Sequence, residues 1–363
     1  MPHFFATTGL RVDQIRRYVM YQDQPPVTMT VKKLIRAILL CTLVAVPAVS
    51  VFAQADVEAT YQEVRPEPGE GIWSLLRRSG VQPTSAGVAE FKALNKGKLR
   101  TGNELRRDVA YKVPTRELYV PLFGKEHARV PMRSDQLLGH VFYIVGGHGG
   151  PDPGTLGTYN GNRIAEDEIA YDTALRLARE LMMDGATVYM IVQDPNDGIR
   201  DKTTLPVDHD EVYYGNKTIV LNQASRLRTR AQIINNLYDK HRGDALSQQV
   251  ISLHVDSYGY RVEPQVDVHF IVGSRSGEKL AREVRATMED KYNFYQPDRG
   301  YKGEIKSRNL MILRETKPTA ILIELGNIRH AGDQHRLVRP SNRQTLAEWI
   351  KEGLVRSATG KGA

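Results

Sequence analysis

The feature that most constrains this chain is an alternation of short apolar runs and longer amphipathic stretches between residues 139 and 357. Residues 141–145 (VFYIV), 187–192, 250–255 (VISLHV), 266–272 and 320–325 (AILIEL) have strand length and are rich in β-branched side chains. Most lack polar alternation, as strands buried on both faces of a parallel sheet do. Between them, residues 166–183 place Ile169, Ala170, Thr173, Leu177 and Leu181 near one helical face, and Gly185 ends the pattern. Residues 227–238, 277–291 and 343–357 also read as helices. The alternation predicts an α/β fold, a mostly parallel sheet with helices on both faces. One stretch interrupts it: residues 194–225 are polar and turn-rich, too long for an ordinary connection. Tyr213 and Tyr214 predict that part of this insertion docks on the domain, on the side where the preceding strand ends.

Composition narrows the function. The chain has 363 residues, 41% apolar and 25% charged, which excludes a disordered chain or a polytopic membrane protein. Net charge is +8, but residues 1–53 hold six Lys/Arg against two Asp/Glu, half of that surplus. No basic stripe of the density that nucleic acid requires is present, so no nucleic-acid partner is expected. Residues 34–53 are almost unbroken apolar, with Lys32, Lys33 and Arg36 on their N-terminal side and Val51-Phe52-Ala53 before a cut at Gln54. That is the layout of a secretory signal peptide, with Met29 an alternative to Met1 as the true start and no membrane span expected after cleavage. The mature protein is expected in the periplasm or cell wall. The single cysteine, Cys41, lies in that stretch, so the mature chain forms no internal disulfide. Residues 54–114 are expected to form a small unit, 115–138 a linker, and 139–363 the main domain.

In open α/β sheets the ligand site lies beyond the carboxyl ends of the strands. Four titratable residues fall there: His148 after the first strand and two glycines, Glu166 at the start of the next helix, His254 at the end of VISLHV and Glu324 at the end of AILIEL. Two imidazoles and one carboxylate form the ligand set of a catalytic zinc, and a second carboxylate supplies a general base. Each residue also has a plainer reading. A histidine at a strand end is often only hydrogen-bonded, and an acidic residue at a helix start serves the dipole, a role Asp167 and Glu168 share. Glu324 resists this, because a carboxylate in an apolar strand is costly unless paired or metal-linked.

The strings around these residues carry a resemblance. GGHGGPDPGTLG (146–157), AEDEIAYDTALRLAREL (165–181), LRTRAQIIN (227–235), ISLHVDS (251–257) and LMILRETKPTAILIELGNI (310–328) resemble, in order, the segments of zinc-dependent N-acetylmuramoyl-L-alanine amidases, enzymes that cut peptidoglycan. The resemblance implies zinc (Zn2+) held by His148, Glu166 and His254, Glu324 as catalytic base, and hydrolysis of the amide between N-acetylmuramic acid and L-alanine. It implies peptidoglycan, both glycan strands and stem peptides, as partner; whether an activator protein takes part stays open. Alternatives are a zinc peptidase cutting within the stem peptide and a catalytically inactive wall-binding or regulatory protein; retention of all four residues favours the enzyme. The insertion is longer than the family leads one to expect. Asp152 reads first as turn chemistry in Pro-Asp-Pro-Gly and second as support for a ligand. His269, His330 and His335 read as structural or surface residues. Residues 68–81 (PGEGIWSLLRRSGV), Leu94-Asn95, 99–105 (LRTGNEL) and Val113-Pro114 resemble a lysin-motif module, a small α+β glycan-binding fold of βααβ order. Trp73 is its marker, with core packing rated at least as high as sugar contact.

Overall fold

The computed structural model describes residues 59–360 apart from 80, 82, 84, 100–103 and 258–266. The expected signal segment, residues 1–53 with Met29 and Cys41, lies outside the described residues. Among the described residues no helix is long and apolar enough to cross a membrane.

The chain begins with β1 (Ala59–Val64), α1 (Ile72–Arg78), α2 (Ser85–Leu94) and β2 (Tyr111–Tyr119). β1 and β2 pair antiparallel, Val64 opposite Tyr111. Ile72, Leu75, Leu76, Phe91, Tyr111 and Val113 form a separate small core. Asn95 is buried with its amide spent on the backbone: Nδ2 donates to the carbonyls of Phe91 and Lys112, and Oδ1 accepts the Lys112 N–H at 2.8 Å. Trp73 is 53% exposed, so core packing is not its role; the α1 spacing gives the core to Leu75 and Leu76 instead.

Residues 115–138 differ from the linker expected. β2 runs through Tyr119 and pairs with β3 (Arg129–Pro131), Leu118 opposite Val130. A 3-10 turn at Pro121–Phe123 lies between, and Phe123, Val130 and Leu137 are fully buried in the main core. Gly198 of the insertion approaches this turn so closely that a Cβ would lie 2.4 Å from the Gly124 nitrogen. The apolar residues of this segment are spaced too irregularly to announce a strand, yet Leu118, Val120 and Leu122 pack against the same core as Phe123, Val130 and Leu137.

The main domain continues with β4 (His140–Gly146), the hairpin β5 (Leu156–Tyr159) and β6 (Asn162–Ala165), α3 (Glu166–Met183), β7 (Thr187–Met190), β8 (Val192–Gln193), β9 (Val212–Tyr213) and β10 (Lys217–Thr218). α4 (Gln223–His241), β11 (Ser247–Asp256), β12 (His269–Val272), α5 (Arg275–Tyr295) and β13 (Ile305–Ser307) follow. α6 (Met311–Glu315), β14 (Thr319–Asn327), α7 (Ala331–Leu337) and α8 (Pro340–Thr359) complete it. The six-stranded sheet has the order β13-β12-β14-β11-β4-β7. β14, β11, β4 and β7 are parallel; β12 is antiparallel to β14 and parallel to β13.

Alternate residues of these strands feed two cores, which is why the sequence runs are apolar throughout. Phe142, Ile144, Ile251, Leu253, Ile321 and Ile323 pack in one cluster with Leu177 of α3, Val284 of α5 and Ile350 of α8. Val141, Tyr143, Val145, Val250 and Leu322 pack in the other with Ile233, Ile234 and Leu237 of α4. Helix ends follow capping chemistry: Asn222 Oδ1 accepts the Ser225 N–H before α4, and Ser274 Oγ accepts the Gly277 N–H before α5.

The expected strand 187–192 is broken after Met190. Ile191 still donates to the Ile144 carbonyl, but β8 leaves the sheet and pairs with β9 of the insertion. Tyr213 anchors the insertion, fully buried, with its hydroxyl donating to the Arg226 carbonyl. A second anchor is Arg343 of α8, 0% exposed. It donates to Asp172 Oδ2 at 2.6 Å and to the carbonyls of Leu337, Val338, Arg200 and Lys202. Asp172 also takes Arg176 at 2.8 Å. Removing one member of a buried ion network leaves the others uncompensated, so Arg343→Ala is expected to cost about 3–5 kcal/mol. A thermal melt should show Tm lower by about 10 °C; an unchanged Tm contradicts the anchoring role.

Candidate metal centre

Three elements deliver the ligand candidates to one point. β4 ends at Gly146, and the turn Gly147-His148-Gly149-Gly150 follows, with Gly150 at φ +63. Gly147 leaves room for the opposing imidazole: a Cβ there would lie 2.1 Å from His254 Cε1. Gly154, at φ +66, is equally constrained, since a Cβ would meet Glu166 Oε2 at 2.8 Å and His148 Cδ2 at 2.9 Å. Glu166 is the first residue of α3, positioned by the β5–β6 hairpin, and its Oε2 accepts the Thr155 N–H at 2.9 Å. His254 lies near the end of β11.

Glu166 Oε1 lies 3.2 Å from His148 Nε2 and 2.9 Å from His254 Nδ1. The two rings stand edge to face with centroids 5.0 Å apart. Ligand atoms of His148, Glu166 and His254 all lie within 4.8 Å of one another, a set that could hold a metal ion. Glu324 is the register partner of His254 on the neighbouring strand β14. It is 8% exposed, and its Oε2 has no hydrogen-bond partner. The structure therefore brings together all four residues singled out in the sequence.

The electrostatics favour positive charge at the triad. Burial depresses the His148 imidazolium, but Asp152 and Glu166 outweigh this and carry it up to about 9. Burial would raise Glu166, yet the two histidines hold its carboxyl below the usual range. Burial lowers His254. Glu324 is pushed well above the carboxylate range by burial first and then by the charges of Glu166 and Asp256. Two imidazoles and one carboxylate at a cation-favouring point fit a borderline-soft divalent ion such as zinc better than one requiring an all-oxygen shell.

Supporting residues were less visible in the sequence. Asp152 does more than close a turn: its Oδ2 lies 3.0 Å from His148 Nδ1 and accepts from Arg226 at 2.7 Å. Arg230, in the LRTRAQIIN segment, donates to the Gly147 carbonyl and so steadies the turn bearing His148. The insertion reaches the same turn, where Glu211 Oε2 accepts the Gly150 N–H at 2.7 Å and His209 Nδ1 lies 2.9 Å from the Gly150 carbonyl. His269 is buried and pairs with Asp256 at 3.6 Å. His330 caps α7 by accepting the Asp333 N–H, and His335 contacts the Tyr159 hydroxyl at 3.0 Å, both structural roles.

Comparison with known proteins gives this geometry a family. The germination-specific N-acetylmuramoyl-L-alanine amidase of Bacillus subtilis is 26% identical over 230 residues, 62% of this chain and 83% of that protein. An uncharacterized cell wall amidase of Bacillus anthracis is 24% identical over 66% of this chain, which spans only 39% of that relative's length. Among solved structures, the CwlD amidase of Clostridioides difficile, determined in complex with the GerS lipoprotein, is 16% identical. That likeness has a TM-score of 0.45 and covers 61% of this chain and 99% of CwlD. The family model described as N-acetylmuramoyl-L-alanine amidase matches residues 143–356, more than half of the chain and the whole of the site described above. The chain belongs to the N-acetylmuramoyl-L-alanine amidase family.

Proposed function

We propose that this amidase is a secreted, zinc-dependent hydrolase that cuts the amide between the lactyl carbonyl of N-acetylmuramic acid and L-alanine of the peptidoglycan stem. The carrying observation is the convergence of His148, Glu166 and His254 beside a buried carboxylate, Glu324, with an unpartnered oxygen. His148, Glu166 and His254 would hold the ion. When bound, zinc would supply a Lewis acid for the scissile carbonyl and would lower the pKa of the attacking water. Glu324 takes the proton of the attacking water on its carboxylate and returns it to the departing alanine nitrogen. Asp152, itself held by Arg226, orients the His148 ring. The glycine turn 146–150 and Arg230 keep that ring against His254. Secretion rests on the signal-like residues 34–53 and on action at the cell wall.

Zinc dependence is tested by removal. Dialysis against a strong chelator is expected to abolish hydrolysis, and one equivalent of zinc per chain to restore it. Full activity in protein shown by elemental analysis to be metal-free contradicts the proposal.

The N-terminal unit is proposed to bind wall glycan. Its β1-α1-α2-β2 order matches that of a lysin-motif fold, and the exposed Trp73 offers a flat apolar face to a sugar. Trp73→Ala is expected to weaken retention on insoluble peptidoglycan by roughly 2- to 10-fold, with Tm and cleavage of small soluble muropeptides unchanged. Undiminished retention would remove Trp73 from the binding face.

A further inference from the structure

A second acidic group lies beside the metal triad without belonging to it. Asp167 and Glu168, the two residues after Glu166, are each 2% exposed, and Glu211 of the insertion is 6% exposed. One oxygen of each lies within 4.8 Å of the others. Glu168 is partnered on both oxygens, Oε2 by Arg200 at 2.8 Å and Oε1 by the Asp208 N–H at 3.3 Å. Glu211 Oε2 accepts the Gly150 N–H. Asp167 is different. Its Oδ1 accepts the Glu168 N–H at 2.8 Å, and its Oδ2 is buried with no partner.

Charge bookkeeping makes that oxygen informative. Three buried carboxylates face one guanidinium, and Arg200 divides its charge between Glu168 and Asp197. The start of α3 favours negative charge, but the field of a helix end is weaker than the cost of desolvating several like charges together. A cation at this point would satisfy the free oxygen and the excess charge at once. The donors are carboxylates without nitrogen or sulfur, which selects a hard ion of the calcium class.

We propose that Asp167, Glu168 and Glu211 form a second cation site, for a hard divalent ion of the calcium class, distinct from the His148–Glu166–His254 set. Its place gives it a purpose. Asp167 and Glu168 continue the helix that starts at Glu166, while Glu211 is bonded to Gly150, two residues after His148. An ion here fastens the insertion to both ligand-bearing segments and holds the first site in shape. Its role in shaping the first site rests on the zinc reading, whereas calcium binding itself is read separately, because none of its three donors belongs to the triad.

The test is a calcium titration of the full chain carrying one zinc per chain, at constant ionic strength, followed by calorimetry and thermal melting. A saturable binding event is expected, with Tm raised by about 5 °C at saturation. Asp167→Asn and Glu211→Gln are each expected to lose that rise while keeping one zinc. Glu211→Gln lies on the insertion and serves alone where Asp167→Asn does not fold. Absence of calcium binding to the unaltered protein overturns the proposal, as does an undiminished Tm rise in Glu211→Gln; the carboxylates then share protons instead.

Discussion

His254→Ala is expected to leave the protein folded and without its metal. His254 sits mid-site, 2.9 Å from Glu166 Oε1 and edge-on to His148, so its loss leaves one imidazole and one carboxylate. Removing a residue that merely orients a ligand commonly costs 10–100-fold in metal affinity, so losing a ligand itself should cost more than about 100-fold. Zinc content measured after gel filtration should fall from one per chain to nearly none, and hydrolysis with it. Truncating the ring opens space beneath Gly147, and a modest fall in Tm is compatible with this account. Full zinc occupancy in the variant would show that His254 is no ligand.

Glu324→Gln separates chemistry from metal binding. The substitution keeps the shape of the side chain and removes only its ability to accept a proton. Zinc content should stay at one per chain while kcat falls by about 10²–10⁴-fold, the range for a general acid–base group. Stability should hold or rise, because the wild-type carboxylate is buried with an unpartnered oxygen near the charges of Glu166 and Asp256. The direction of the Glu324 shift adds a pH signature. A base whose proton is held above the usual carboxylate range gains activity as pH rises through that raised pKa. The acidic limb of the kcat/KM profile should therefore disappear in Glu324→Gln. Loss of zinc together with activity would instead make Glu324 a ligand.

Much of this was legible in the sequence because burial on both faces writes itself into composition. VFYIV became the interior of β4 and AILIEL that of β14, each with alternate side chains in different cores. His148, His254 and Glu324 stood out because they lie at or just past the ends of such runs, and Glu166 because it opens the helix that follows the first of them. What could not be read shares a cause: it depends on contacts between distant segments. Arg226 meets Asp152 across 74 positions, and Glu211 meets Gly150 across 61, with nothing local to mark either. β2 passes through residues expected to be a linker because its pairing partners, β1 and β3, lie on either side of it in the chain. Pro114 within YKVPTRELY hides the strand further, although Pro114 itself pairs in register with Tyr61. Trp73 misled in the opposite sense. An aromatic residue in IWSLLRR suggests core, but the turn of α1 that buries Leu75 and Leu76 leaves it outside.

The central claim is the identity of the bond cut, and digestion of purified peptidoglycan with mass analysis of the soluble products tests it most directly. The expected products are intact stem peptides beginning with a free L-alanine amine and glycan strands whose lactyl groups end in a free carboxylate, with neither formed after chelation. Peptides shortened within the stem, or the same products from metal-free enzyme, would contradict it.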